Sequence, residues 1–152
     1  MASPRDLAPV PREVATICRT MAGADACTFA RVLPASNEMI VLTGDAAPTW
    51  TEAGPAPGRR VSIDNRPAIR EALAGAVVQK QTGQLQPDDA AAGELAARGI
   101  GSLLLIPIMH QEETTGIIEL VSRSVDAFPP DRVAPCLELA RLVGFAIAQT
   151  AT

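Results

Sequence analysis

Gly101–Leu120 reads GSLLLIPIMHQEETTGIIEL. Two aliphatic runs, Ser102–Met109 and Ile117–Val121, flank the polar stretch Gln111–Thr115. Short, nearly unbroken apolar runs rich in β-branched residues suit strands covered on both faces, so this segment predicts two central β-strands joined by a turn. Pro107 lies inside the first run. Because proline cannot donate to a ladder, a bulge or an unpaired position is expected there. Glu119 interrupts the second run. A carboxylate in mid-strand must be solvated, hydrogen-bonded or paired. Its structural partner would be Arg31 or another arginine on a neighbouring strand. Its functional partner would be a ligand donor in a polar cavity.

Downstream, Ser124–Phe128 reads as a loop, and Pro129 and Pro130 open a helix to about Gln149. Val133, Cys136, Leu139, Ala140, Val143 and Ile147 fall on one apolar stripe, whereas Leu142 and Phe145 lie off it. Upstream, Val10, Val14, Ile17, Cys18 and Met21 recur at helical spacing over Pro11–Ala22, and Gly23 ends that helix. Cys27–Leu33 and Met39–Thr43, with a turn at Pro34–Asn37, predict a β-hairpin. Cys27 and Phe29 share one face of its first strand, and Thr28, Ala30 and Val32 the other. The middle is irregular. Gly44–Gly58 is a long loop holding Trp50, which serves as a lid or as an anchor on the sheet. Arg60–Ile63 is a short extended piece. A helix runs from Pro67 to Gly75, capped by Asp64 or Asn65, and Val77–Val78 is a brief strand. After the loop Gly83–Pro87, Asp88 begins a further helix to Gly99.

The chain of 152 residues is one domain's worth, with residues 1–10 a disordered or extended N-terminal segment and 11–150 the domain. Hydrophobic residues make up 47%, charged residues 20%, and the net charge is −4. That balance lacks the basic excess with which nucleic-acid binders grip phosphates. No window nears the ~20 apolar residues that span a bilayer. The start has no signal-peptide pattern, so the expected location is cytoplasmic. Lys80 is the only lysine beside many arginines and alanines, a bias expected of a GC-rich bacterial genome. Cys18, Cys27 and Cys136 are far apart, and His110 is the only histidine. These spacings do not make a zinc site, and the cysteines read as small buried hydrophobes.

The run GSLLLIPI, the polar turn, GIIEL at Gly116–Leu120, Phe128, Asp131 and the closing helix resemble GAF domains, as does GADACTFARVL after the first helix. The similarity extends from about Val10 to Gln149. It implies an α+β fold, an antiparallel sheet of five to six strands with order near 2-1-5-4-3. Terminal helices would cover one face, and short helices and loops would close a ligand cavity on the other. It also implies dimerisation through the terminal helices, for which Leu142 and Phe145 are the expected interface. The ligand-binding residues expected are Trp50, Glu119, Ser102 and Leu104.

Several chemistries known in that family find little footing. Cyclic-nucleotide binders carry an Asn-Lys-Phe…Asp-Glu signature. Here Phe128 and Asp131 stand beside Val125 and Arg132, with no Asn-Lys pair, and Phe128 reads as a hydrophobic plug. No cysteine lies in the middle region that would line the cavity and His110 falls at the hairpin turn, so neither a covalent bilin nor haem is expected, and the Cys and His spacings leave no metal expected either. A free methionine sulfoxide reductase needs an activated thiolate and a resolving thiol at the pocket. That is the enzyme alternative. Arg59 and Arg60 read as a solvated pair that an anion would find. The expectation is a non-catalytic module that senses a small molecule or regulates a partner signalling protein. A structural interaction domain with a filled cavity is the other alternative.

Overall fold

Side-chain parity along the central strands sends alternate residues into two separate cores. The computed structural model describes residues 10–50 and 56–150, the last three by backbone alone. Among them are helix α1 (Arg12–Ala22), strands β1 (Ala26–Leu33), β2 (Glu38–Ala46) and β3 (Arg60–Ser62), helix α2 (Pro67–Leu73), strand β4 (Val78–Gln81), helix α3 (Ala90–Ala97), strands β5 (Ser102–His110) and β6 (Glu113–Ser122), and helix α4 (Pro130–Thr150). The strands form one antiparallel sheet, β3-β2-β1-β6-β5-β4. This is the expected five-strand order with Arg60–Ser62 added at an edge. Residues 1–9, most of the expected N-terminal segment, residues 51–55 of the loop around Trp50 and residues 151–152 lie outside the described residues.

On one face, Phe29, Leu104, Ile106, Ile108, Ile118 and Leu120 pack against α1 and α4. On the other, Ala30, Leu103, Leu105, Ile117 and Val121 meet α2, α3 and the loops. Both faces are therefore covered, which is why the runs lack a polar alternation. Helix α4 buries Val133, Cys136, Ala140, Val143 and Ile147 as its stripe predicts, while Leu142 and Phe145 stay exposed. Helix α1 differs in detail. It buries Ala15, Cys18 and Ala22, and Ile17 faces outward. Small residues let α1 sit close to the sheet, where Arg19 and Arg12 reach Asp45 on β2 at 2.8 and 3.3 Å. Gly23 closes α1 in the left-handed region, at φ 65°.

Three local expectations are corrected. Pro107 pairs in register with Ile117, and the irregularity falls one step later, between Ile108 and Met109. Strand β4 pairs only residues 102–105 of β5, so beyond Leu105 one side of β5 has no ladder, and a residue without an N–H is tolerated. The turn between β5 and β6 is Gln111–Glu112 alone, both at positive φ (51° and 68°), so the strands run further than the apolar pattern. Neither Asp64 nor Asn65 caps α2. Arg66 holds the cap position, and Pro67 takes the first turn as expected.

Gly144 marks where α4 meets β5. A Cβ there would collide with the Met109 carbonyl. Alanine gains about 1 kcal/mol of helix propensity over glycine, but overpacking against backbone costs about 1–3 kcal/mol. Gly144→Ala is therefore expected to lower the thermal midpoint, whereas the exposed Gly93→Ala in α3, with open space around its Cβ, raises it. Thermal denaturation of the two variants checks the contrast.

Candidate functional site

Helices α2 and α3 stand over the β1–β6–β5 face because one buried carboxylate holds both. Asp89 is the N-cap of α3, where Oδ1 accepts from the Ala91 amide at 2.8 Å. Its Oδ2 accepts from the Ala68 amide in the first turn of α2 at 3.2 Å. Open N-terminal amides of two helices converge on it, so the polar ends are satisfied away from water. A second clasp is Arg66, whose guanidinium forms a two-pronged bridge to Glu94 on α3 at 2.9 and 3.2 Å and donates to the Ser62 carbonyl at 3.1 Å.

Beneath these helices lies a cavity of about 190 Å³. Met39, Ile69, Leu95, Leu105 and Ile117 supply apolar wall, and Arg59, Arg66, Glu94 and Arg98 stand among its lining. Glu119 lies on the floor, with Thr28 of β1 and Leu105 of β5 as its cross-strand neighbours. It forms neither a hydrogen bond nor an ion pair with any described residue. Its surroundings of protein and apolar wall raise its pKa above the ordinary carboxylate value, a desolvation effect that Arg98 and Arg66 oppose from a distance and Glu94 reinforces.

The expected site residues separate on this geometry. Glu119 lines the cavity. Leu104 does not: it points into the terminal-helix core, and the lining residue is its neighbour Leu105, because alternate side chains leave opposite faces of a strand. Ser102 is buried at the start of β5, where its hydroxyl meets the Ser124 carbonyl and Gln81 and ties the 123–128 loop to the sheet. Trp50 is buried in the core on the cavity side without lining the cavity. Arg98 and Arg123 sit over its ring at 5.5 and 4.5 Å, and its indole N–H has no partner among the described residues. Arg31 is not the partner of Glu119: its register neighbour on β6 is Gly116. Sequence reasoning missed Thr28, Arg66 and Arg98 as cavity residues. The period-2 pattern of β1 already put Thr28 on the face of Ala30, but nothing local indicates that α2 and α3 carry their arginines over it.

The three cysteines lie on the other side of the sheet. Cys18, Cys27 and Cys136 are all buried and free. The Cys136 thiol donates to the Cys18 carbonyl at 3.7 Å. Although the Cys136 thiol favours ionisation of Cys18, the Cys27 thiol and burial prevail and push Cys18 up. Its bond to Cys18 and burial push Cys136 up as well. Both stay thiols near neutral pH. Among the described residues, no group of three or more His, Cys, Asp and Glu is arranged to hold a metal. No helix among them is long and apolar enough to cross a membrane.

The model described as "GAF domain" matches residues 6–148. The chain belongs to the GAF domain family. GAF domains are a sensory and regulatory signalling family. The fold is similar to the chromophore-binding domain of a bacteriophytochrome from R. palustris, with a TM-score of 0.75 at 14% identity over 97% of this chain. That likeness spans only 58% of the phytochrome domain's own length. It is similar as well to the GAF domain of a two-component sensor histidine kinase from Bacillus halodurans (TM-score 0.72, 12% identity, 93% of this chain and 96% of that one). A type II free methionine-R-sulfoxide reductase from Thermoplasma acidophilum also shares the fold (TM-score 0.68, 14% identity, 91% and 92%). No curated protein sequence matches the chain. At these identities the likeness concerns the fold alone.

Two outcomes are expected at this GAF site. Asp89→Ala removes a helix cap and leaves a second buried amide without an acceptor, a loss of about 1–3 kcal/mol read by urea unfolding. A carboxyl whose folded pKa lies above its unfolded value supports the fold when protonated, and that support fades as pH rises through the folded pKa. Glu119→Gln should therefore raise the thermal midpoint of the ligand-free protein at pH 7. The gain should shrink toward pH 4, where the wild-type carboxyl is protonated. A gain independent of pH would contradict the desolvation account.

Proposed function

We propose that this GAF domain is a non-catalytic sensory or regulatory module that binds a small molecule between its sheet and helices α2 and α3. The observation that carries the reading is the Glu119 carboxylate, without a hydrogen bond or ion pair to any described residue, on the floor of a cavity whose lining mixes aliphatic and charged side chains. A partly buried charge without a partner is costly to a fold, and a binding site is where such a cost is recovered. Sensing by related folds, among them the histidine kinase's GAF domain, is consistent with this reading.

The reductase alternative receives less support. Its chemistry needs an ionisable thiol at the pocket, while Cys18, Cys27 and Cys136 are buried across the sheet from the cavity. Three free thiols also fit a reducing compartment, in keeping with a cytoplasmic protein. Dimerisation through α4 is part of the proposal. Leu142 and Phe145 are 71% and 61% exposed, one helical turn apart, and Phe145 meets the His110 ring edge-on at 6.2 Å. Covering them against a second copy would remove large apolar side chains from water.

Native mass spectrometry of gently purified protein tests both parts. A dimer is expected, carrying an adduct in the mass range of a metabolite. Ile117→Trp, which fills the cavity, should remove the adduct while leaving the circular dichroism of a folded α+β protein. Phe145→Ser should yield monomer that retains the adduct. A native protein without adduct removes the principal support for sensing, and a native monomer at micromolar concentration ends the dimer proposal.

A further inference from the structure

The polar groups of the cavity are not equivalent. Arg66 and Glu94 satisfy each other through their two-pronged bridge. Arg98 lies over the Trp50 ring. Glu119, Thr28 and Arg59 remain: each lines the cavity, and none of their side chains makes a hydrogen bond or an ion pair with a described residue. Glu119 and Thr28 are directly opposed on β6 and β1. Together they offer a cluster of oxygen acceptors at one spot on the floor. Arg59 comes from a different wall. Its backbone carbonyl accepts from the Val41 amide at 2.9 Å, which places it beside β2 at the entrance to β3.

A carboxylate and a hydroxyl side by side match a primary ammonium, which has three N–H donors and no acceptor. A guanidinium presents a planar fork that matches an anionic oxygen pair. Met39, Ile69, Leu105 and Ile117 add aliphatic surface for an apolar body, and the volume is small. A molecule with one positive and one negative group also adds no net charge to the cavity, which keeps its desolvation cost low. We infer that the cavity takes a small aminocarboxylate with an apolar body, its ammonium on Glu119 and Thr28 and its carboxylate toward Arg59. This rests on the ligand-binding reading above and narrows it to one chemical class.

The test is titration calorimetry on the full chain with alanine, norvaline, leucine and methionine, each beside its decarboxylated amine and its deaminated acid. At least one aminocarboxylate should bind, with both truncated analogues weaker by about tenfold or more, the usual effect of losing a hydrogen bond to a charged group. Glu119→Gln should weaken the aminocarboxylate and the amine and leave the acid unchanged. Arg59→Ala, at an exposed position, should weaken the aminocarboxylate and the acid and leave the amine unchanged. A deaminated acid that binds as tightly as its parent overturns the inference, as does an unaffected Glu119→Gln variant or silence across the whole series. Mass spectrometry separates the two levels. A co-purified adduct without an amine leaves the cavity reading standing and ends this one, while the absence of both adduct and binding ends both.

Discussion

The strict alternation of side chains along β1, β6 and β5 is the constraint on which the rest of the molecule depends. These three strands are central in the sheet, and each contributes to both cores. Cys27 and Phe29 go to the terminal helices, and Thr28 and Ala30 to the cavity. The same division runs through Leu104 and Leu105, and through Ile118 and Glu119. A slip of one residue would bury Glu119 under α1 and α4 and turn Ile118 into the cavity, so register is under strong selection by the hydrophobic effect itself.

The two faces are covered by different means. Helices α1 and α4 lie against the sheet through small or branched side chains and, at Gly144, through backbone. Helices α2 and α3 are short; besides burying Ala68, Ile69, Ala72 and Leu95 they are held by Asp89 at their N-terminal ends and by the Arg66–Glu94 bridge. Directional bonds at one end can hold a helix above a sheet without pulling its whole length down. That is how a cavity survives in a chain whose strands are almost wholly aliphatic. The hydrophobic effect alone would close such a space.

The polarity of the two faces also separates their chemistry. The thiols are confined to the terminal-helix core, where burial keeps Cys18 and Cys136 protonated. The carboxylates and guanidiniums line the opposite space. The thiols and the charged groups of the cavity therefore lie on opposite faces of the sheet.

Much of this was legible from local pattern. The unbroken runs around Pro107 and Ile117 specify a doubly covered strand pair. The α4 stripe specifies its buried face, and the exposure of Leu142 and Phe145 follows from their place off it. Periodicity carries such information because each side chain's direction is set by its own backbone. What tertiary structure decided is of another kind. The partner of Glu119 was sought on Arg31, but registration put Thr28 and Leu105 beside it. The cap of α2 was sought on Asp64 or Asn65, but the acceptor is Asp89, 21 residues beyond Ala68. Leu104 and Leu105 look alike in the sequence, and only the position of the covering helices makes one of them core and the other cavity wall. Contacts between distant segments depend on where whole elements come to rest, and no local periodicity encodes that.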